Sequence, residues 1–240
     1  MIRAMEPLRM QSPNFESFEW SHGKVRECDP NFPTTLHAWD KDALTLKGMS
    51  AFFGFVAEGE AVLTTESGAF RLKTGMYFSA NGKVTVQGGR GIVIERHDHR
   101  AYFLLGGPVE EKGRLKYIDG CTDSLLLPPV RYGDPCLNLL YFPPGIDQTS
   151  HTHPSDRIGC VFSGRGECET PEGIIPLTPG TMFRIPAEGA HKFRTTDSAM
   201  RVIAYHPDSD FGPTDQTHPM INRTMVEGVS ASQLPQLQTA

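Results

Sequence analysis

The sequence predicts an all-β protein built as two β-barrels in tandem, and three observations carry that reading. Glycine and proline number 24 and 19 among 240 residues, and they divide the chain into short segments. That punctuation favours strands and turns over long helices. The segments between them are short runs rich in β-branched and aromatic residues, apolar throughout or alternating, as buried and half-buried strands are. The chain also repeats itself. GFVAEGEAVLTTESGAFRLKTGMYF, from Gly54, aligns without a gap on GCVFSGRGECETPEGIIPLTPGTMF, from Gly159, an offset of 105 residues with eight identities in 25 positions. Gly54, Gly59, Gly68 and Gly75 fall on Gly159, Gly164, Gly173 and Gly180, and Val56, Leu72 and Phe78 on Val161, Leu177 and Phe183. Glycines recurring in register imply that the same turns are built twice.

Residues 1–35 read as an N-terminal arm. Its first segment, MIRAMEPLRMQSPNFESFEW, lacks the apolar core of a secretory signal, so a cytoplasmic location is expected. The first barrel spans 36–107, with strands at SAFFGFVAE, EAVLTT, AFRLK, MYFSA, KVTVQG and GIVIERH. Residues 108–133 are rich in glycine, proline and charge and read as a linker. The second barrel spans 134–206, with strands at CLNLLYF, IGCVFSG, RGECET, IIPLT, TMFRIP, HKFRT and MRVIAYH. Residues 207–240 read as a C-terminal loop and tail. Within them and just before, YHPDSDFGPTDQTHPMINRT (205–224) is expected to be an ordered loop, either a lid or partner-reaching arm or a surface wrap built on Asp–Pro turns. The last residues, EGVSASQLPQLQTA, are expected to lack structure.

Hydrophobic residues make up 38% and charged residues 21%, enough to bury a core. The net charge is −5 and no run of lysine or arginine stands out, which argues against nucleic acid or an acidic membrane as partner. No apolar stretch approaches the roughly 20 residues that a membrane span needs. The five cysteines are scattered, with no CxxC pair, and read as small buried apolar residues. Gly-rich phosphate loops and serine-elbow motifs are absent, so nucleotide binding and serine hydrolysis have no support.

His151, His153 and His191 carry the chemistry. Two histidines one residue apart point to the same side of a strand. A third from a later strand can complete one face of a coordination sphere, and imidazole suits zinc, iron, copper and nickel. Three polar residues lining a dry barrel is the alternative.

The second repeat resembles a cupin domain. His151, His153 and Gly164 fit the first cupin motif; Gly180, Pro186, Gly189 and His191 fit the second, over residues 136–206. The resemblance implies that the two barrels are cupin-type jelly rolls and that one divalent transition metal is bound per chain. One departure matters. Where the first motif carries a glutamate, this chain has Arg157, with Asp156 beside it. The resemblance then implies a site of three histidines without a carboxylate, as in cupin dioxygenases that use Fe(II); Zn(II) is the alternative metal. Arg157 either holds a substrate carboxylate by a two-pronged hydrogen bond or faces a surface carboxylate. His206 is a candidate proton donor or fourth ligand. Gln148, Ser150, Tyr141 and Phe193 are candidate substrate contacts, and Phe162, Phe183 and Tyr205 are core or pocket residues.

Subtracting 105 from the ligand positions gives Leu46, Gly48 and Val86, none of which binds a metal, so the first barrel is expected to be degenerate and supporting. His97-Asp98-His99 is a second HxH without a third partner in register, and reads as a solvated strand end. Three functions remain: a three-histidine dioxygenase acting on a small organic acid with dioxygen; a zinc-dependent isomerase, lyase or rearrangement enzyme, including the nitrogen–nitrogen bond-forming kind; and a non-catalytic metabolite-binding cupin. A homodimer is expected, because barrel edges commonly pair between subunits.

Overall fold

A computed structural model describes residues 12–209 and 219–237. In chain order its main strands are β1 (Glu16–Phe18), β2 (Gly23–Cys28), β3 (Thr34–Asp40), β4 (Leu44–Glu58), β5 (Glu60–Thr65), β6 (Gly68–Lys73), β7 (Tyr77–Gln87), β8 (Arg90–His97), β9 (Leu104–Gly106), β10 (Leu115–Lys116), β11 (Thr122–Leu127), β12 (Cys136–Phe142), β13 (Arg157–Gly164), β14 (Gly166–Thr170), β15 (Gly173–Leu177), β16 (Met182–Ile185), β17 (Lys192–Arg194) and β18 (Met200–His206). The fold is all-β, two cupin-type jelly-roll barrels in tandem. The first is one sheet in the order β2-β3-β8-β4-β7-β5-β6, with β9 on β7; the second closes β1-β16-β13-β18-β12-β11-β10 over β15-β14-β17.

The repeated glycines explain why both halves fold alike. Gly59 and Gly164 have φ of 77° and 75°, Gly68 and Gly173 of 130° and 146°, and Gly75 and Gly180 of 82° and 90°. Side chains resist this half of the map, so each pair fixes the same turn in both barrels. Alternation along the strands then sorts the side chains into three cores. Trp39, Phe52, Leu63, Phe78 and Val84 fill the first barrel. Phe15, Phe142, Phe183, Phe193 and Val202 fill the second. Between them, Leu36, Phe53, Phe55 and Ile94 of the first barrel meet Leu139, Ile158, Ile203 and Tyr205 of the second.

Several segments depart from the sequence reading. The arm at 1–35 is divided: β1 pairs with β16 of the second barrel, whereas β2 pairs with β3 of the first. Residues 108–133 contain β10 and β11, and β11 joins β12 because Leu126 and Leu127 bury themselves against the shared core. MYFSA and KVTVQG are one strand, β7. The tail from Glu227 is structured as far as Leu237. Glu227 and Gly228 both take positive φ (50° and 82°) between short strands at Met225–Val226 and Val229–Ser230, as a tight hairpin turn requires, and Ala231 is buried after it. Residues 210–218 of the expected 205–224 loop lie outside the described residues.

The two barrels differ where the metal ligands are expected. In the first, β4 and β7 run side by side almost without interruption, pairing Leu44 with Val86, Leu46 with Val84 and Gly48 with Gly82 before a bulge. In the second, the matching stretches open into loops before β13 and between β16 and β17. His151 pairs with His191 where Leu46 pairs with Val84, so the counterpart of His191 is Val84 and not Val86. The difference is two residues gained in the second barrel's loop.

Candidate metal centre

After β12, Pro143, Pro144 and Gly145 turn the chain out of the sheet; proline cannot donate to a ladder, and Gly145 takes φ of 78°. The chain returns as an isolated antiparallel bridge. His151 N–H donates to the His191 carbonyl and His191 N–H to the His151 carbonyl, both at 3.0 Å. The Glu188 N–H donates to the His153 carbonyl at 2.7 Å. These backbone bonds hold both histidine-bearing loops in one frame.

The three rings converge. Their centroids lie 4.6 Å (His151–His191), 5.0 Å (His151–His153) and 5.2 Å (His153–His191) apart, and one nitrogen from each falls within 4.8 Å of the others. Nδ1 of His151 lies 2.8 Å from the Thr149 carbonyl, and Nδ1 of His191 lies 2.9 Å from the Gly189 carbonyl. A carbonyl accepts only, so each Nδ1 carries the proton and Nε2 keeps its lone pair for a cation. Second partners of this kind orient ligating histidines in metal sites generally. This donor set fits a divalent transition metal. Among the described residues no other group of three has this geometry.

Burial and charge keep His153 and His191 neutral. His153 is pushed down to about 2, first by burial, then by the Arg157 charge and the other two rings. His191, 1% exposed, is pushed down to about 4 by burial, with the Gly189 carbonyl opposing. His206 is held well below its ordinary value by burial, then by Arg157 and His153. A metal would therefore displace no proton from His153 or His191 at neutral pH.

The triad faces a cavity walled by Tyr117, Leu140, Phe183, Ile185, Phe193 and Ala204, with Gln148, Arg157 and His206 as further polar members. The cavity volume is about 20 Å³, room for an ion with one or two waters. Larger ligands require a wall residue to move.

Of the residues expected at the site, the structure brings His151, His153, His191, Arg157, His206, Gln148 and Phe193 to this cavity. Gln148 is occupied by the protein. Its Oε1 accepts from Phe193 N–H at 3.1 Å and its Nε2 lies 3.5 Å from Cys121 Sγ, so it positions β17. Tyr141 is elsewhere. Leu140 takes the inward face of β12, which turns Tyr141 outward, where the Lys112 ammonium lies 5.6 Å over its ring. Alternation likewise sends Phe162 and Tyr205 to the interface between barrels, against Phe55 at 5.0 Å and Phe53 at 5.2 Å. His97 ends β8 and bonds Thr35 Oγ1 at 2.8 Å, with Glu95 3.5 Å away.

Arg157 is held on one side only. Its Nη1 donates to Ser155 Oγ at 2.8 Å and to the Ser155 and Asp156 carbonyls at 3.1 Å each, and Ser155 Oγ donates to Asp208. Its Nε is buried without a partner. Burial lowers the Arg157 pKa, with Asp208 the main opposing charge.

Asp156, just before β13, bonds away from the histidine cluster and is 1% exposed. It is a hub that sequence reasoning missed. It pairs with Arg184, accepts from Asp29 N–H at 3.0 Å and Ala187 N–H at 2.9 Å, and its own N–H donates to Asp29 Oδ2 at 3.1 Å. Burial disfavours the Arg184 charge, but the Asp156 hydrogen bond and charge outweigh it and raise its pKa. Tyr117 in the cavity wall was also missed, because it lies in the supposed linker. Asn14 was missed too: its Oδ1 accepts from Ala190 N–H, next to His191, at 2.8 Å.

The family model described as "Cupin domain" matches residues 138–206. No curated protein matches the sequence. Solved structures match across most of the chain. A Pseudomonas aeruginosa protein described as glyoxylate-induced superposes with a TM-score of 0.63 at 13% identity, covering 86% of this chain and 93% of its own. A cupin 2 conserved barrel domain protein from Leptotrichia buccalis gives 0.56 at 14% identity, covering 85% and 97%. Salicylate 1,2-dioxygenase from Pseudaminobacter salicylatoxidans gives 0.60 at 11% identity, covering 85% and 87%. Together with the barrels and the histidine cluster, the matches give the chain a cupin fold, with residues 138–206 matching the cupin-domain model.

Proposed function

We propose that this chain is a mononuclear metal-dependent enzyme acting on a small organic acid, a three-histidine Fe(II) dioxygenase. The observation that carries the reading is the convergence of three imidazoles, two with Nδ1 tied to a carbonyl, beside a guanidinium whose Nε is buried and unpaired. Salicylate 1,2-dioxygenase, by its name an oxygenase of an aromatic acid, shares the fold and supports the reaction class.

His151, His153 and His191 would hold the metal on one face and leave the cavity side open. Iron there supplies dioxygen chemistry that no side chain provides. The unpaired Nε–H of Arg157 binds a substrate carboxylate, the pairing that guanidinium geometry suits. His206, held neutral in the same wall, is placed to take or return a proton. Phe183, Ile185 and Phe193 exclude water from the reacting end. Tyr117 is the wall residue to displace, since it follows a two-residue exposed strand.

Elemental analysis of protein purified without chelators should find iron near one per chain, and oxygen uptake should follow addition of a small aromatic or aliphatic acid. His153→Ala should lose both. Zinc near one per chain with turnover that ignores oxygen would replace the dioxygenase by the isomerase or lyase reading. Absence of any transition metal would end both.

A further inference from the structure

Among the described residues, six buried side-chain polar atoms have no partner, and three of them, Asp123 Oδ1, Asn138 Oδ1 and Arg157 Nε, gather at one end of the second barrel. Asn138 stands opposite Ala204 in the β12–β18 pairing, and Cys136 stands opposite His206. Leu140, Ala204 and His206 line the cavity. Opposed residues share a sheet face, and so do residues two apart on one strand, so Asn138 turns to the same interior. Asp123 stands opposite Leu140, and its Oδ2 accepts from Asn138 Nδ2 at 2.7 Å. Arg157 lines the cavity directly.

Buried polar atoms rarely stay unpaired in native proteins, and each such atom points to a missing partner. These three are complementary in kind. Arg157 Nε–H is a donor on a cation, whereas Asp123 Oδ1 and Asn138 Oδ1 are acceptors. A carboxylate satisfies the first and does nothing for the other two, which need hydrogen-bond donors, N–H or O–H.

We infer that the ligand of this cavity, admitted once Tyr117 moves, is a small acid that also carries a hydrogen-bond donor at its far end, with an amino or carboxamide group as the case to test: its carboxylate takes the free edge of Arg157 and its donors go to Asp123 and Asn138. The inference rests on the reading of the triad as the metal centre of a small-acid site, and it adds the nitrogen-bearing end. Burial, only partly offset by Asn138, raises Asp123 to about 6, as expected of a carboxylate short of donors.

The test uses metal-loaded full-length protein under argon, titrated calorimetrically with three acids of similar length. Gamma-aminobutyrate ends in an ammonium, succinamate in a carboxamide, and levulinate has a methyl group where succinamate has its NH2. At least one of the first two should bind about tenfold more tightly than levulinate, the effect of one buried hydrogen bond. Which one is preferred decides between ammonium and amide. Asp123→Asn and Asn138→Leu should each erase that preference while metal content stays at its wild-type value. Equal binding of all three, binding of none by loaded protein, or a preference that survives both substitutions overturns the inference. Failure to load metal is read separately by elemental analysis; it removes the site itself and the inference with it.

Discussion

Replacing Asp156 with asparagine keeps the shape of a buried side chain and removes its charge. The carboxylate receives three donors: Oδ2 takes Arg184 Nε and Asp29 N–H, and Oδ1 takes Ala187 N–H. Whichever way the amide turns, its NH2 faces one of those donors. One buried N–H is then left unpaired, at a cost of about 1–3 kcal/mol. Arg184, whose side chain is 15% exposed, keeps only Glu16 at 3.3 Å as counter-charge. Breaking a buried ion pair costs about 3–5 kcal/mol, and the surviving Glu16 contact places this case near the lower end. At about 2–4 °C per kcal/mol for a chain of this size, Asp156→Asn should lower the melting temperature by about 6–12 °C. The site should feel it as well. Ala187 stands four residues before His191, so loosening that bond frees the loop, and metal affinity should fall by about 10–100-fold, as for other outer partners of ligating residues. The exposed pair of Arg165 and Asp197, with side chains 65% and 69% accessible, provides the control, since Asp197→Asn should melt with wild type. Calorimetric melting and competitive metal titration read both effects. An Asp156→Asn protein that melts with wild type and binds metal as tightly would refute the hub.

The metal-free protein should lose stability as pH falls from about 6.5 toward 4, because unfolded His191 takes its proton near 6.5 and folded His191 only near 4. The unfolded chain therefore binds more protons across that window; above it the penalty is absent, and His191→Gln should make the melting-temperature profile less steep, with His153 and His206 supplying the slope that remains. Gly159→Ala should destabilise by more than about 3 kcal/mol in denaturant melts, since an added Cβ would stand 1.8 Å from the backbone oxygen of Ile203; a loss under 1 kcal/mol, roughly that of an ordinary surface change, would show the strands free to part. The triple variant Leu46→His, Gly48→His, Val84→His should bind no second metal by elemental analysis. Position 48 is exposed with φ of 151°, a backbone setting unlike that of a strand residue facing inward.

The barrels and the triad were legible in the sequence because both rest on local rules. Matched glycines announce matched turns, and HxH on an extended segment announces two rings on one side. What stayed hidden depends on pairing across distance. Tyr141 looked like a pocket residue until the β12 register showed that Leu140 owned the inward face. Asp156 looked like a failed ligand, and nothing local reveals that Asp29, 127 residues earlier, answers it with a reciprocal bond. Val84 was misplaced by two because the loop before His191 gained residues that an ungapped offset does not register. The tail beyond Glu227 was polar enough to pass for unstructured, and only the paired positive φ values of Glu227 and Gly228 explain its hairpin.

The first strand of the chain crosses over before its own barrel begins. Phe15 is fully buried and stacks 5.8 Å from Phe183, while Asn14 and Glu16 tie down Ala190 and Arg184. A fragment cut at the junction between barrels would thus leave the histidine-bearing half with a raw sheet edge and a hole beside its three rings. Anyone wishing to produce that half alone would have to graft residues 12–18 back onto it, and the two halves would have to be made, and to mutate, as one object.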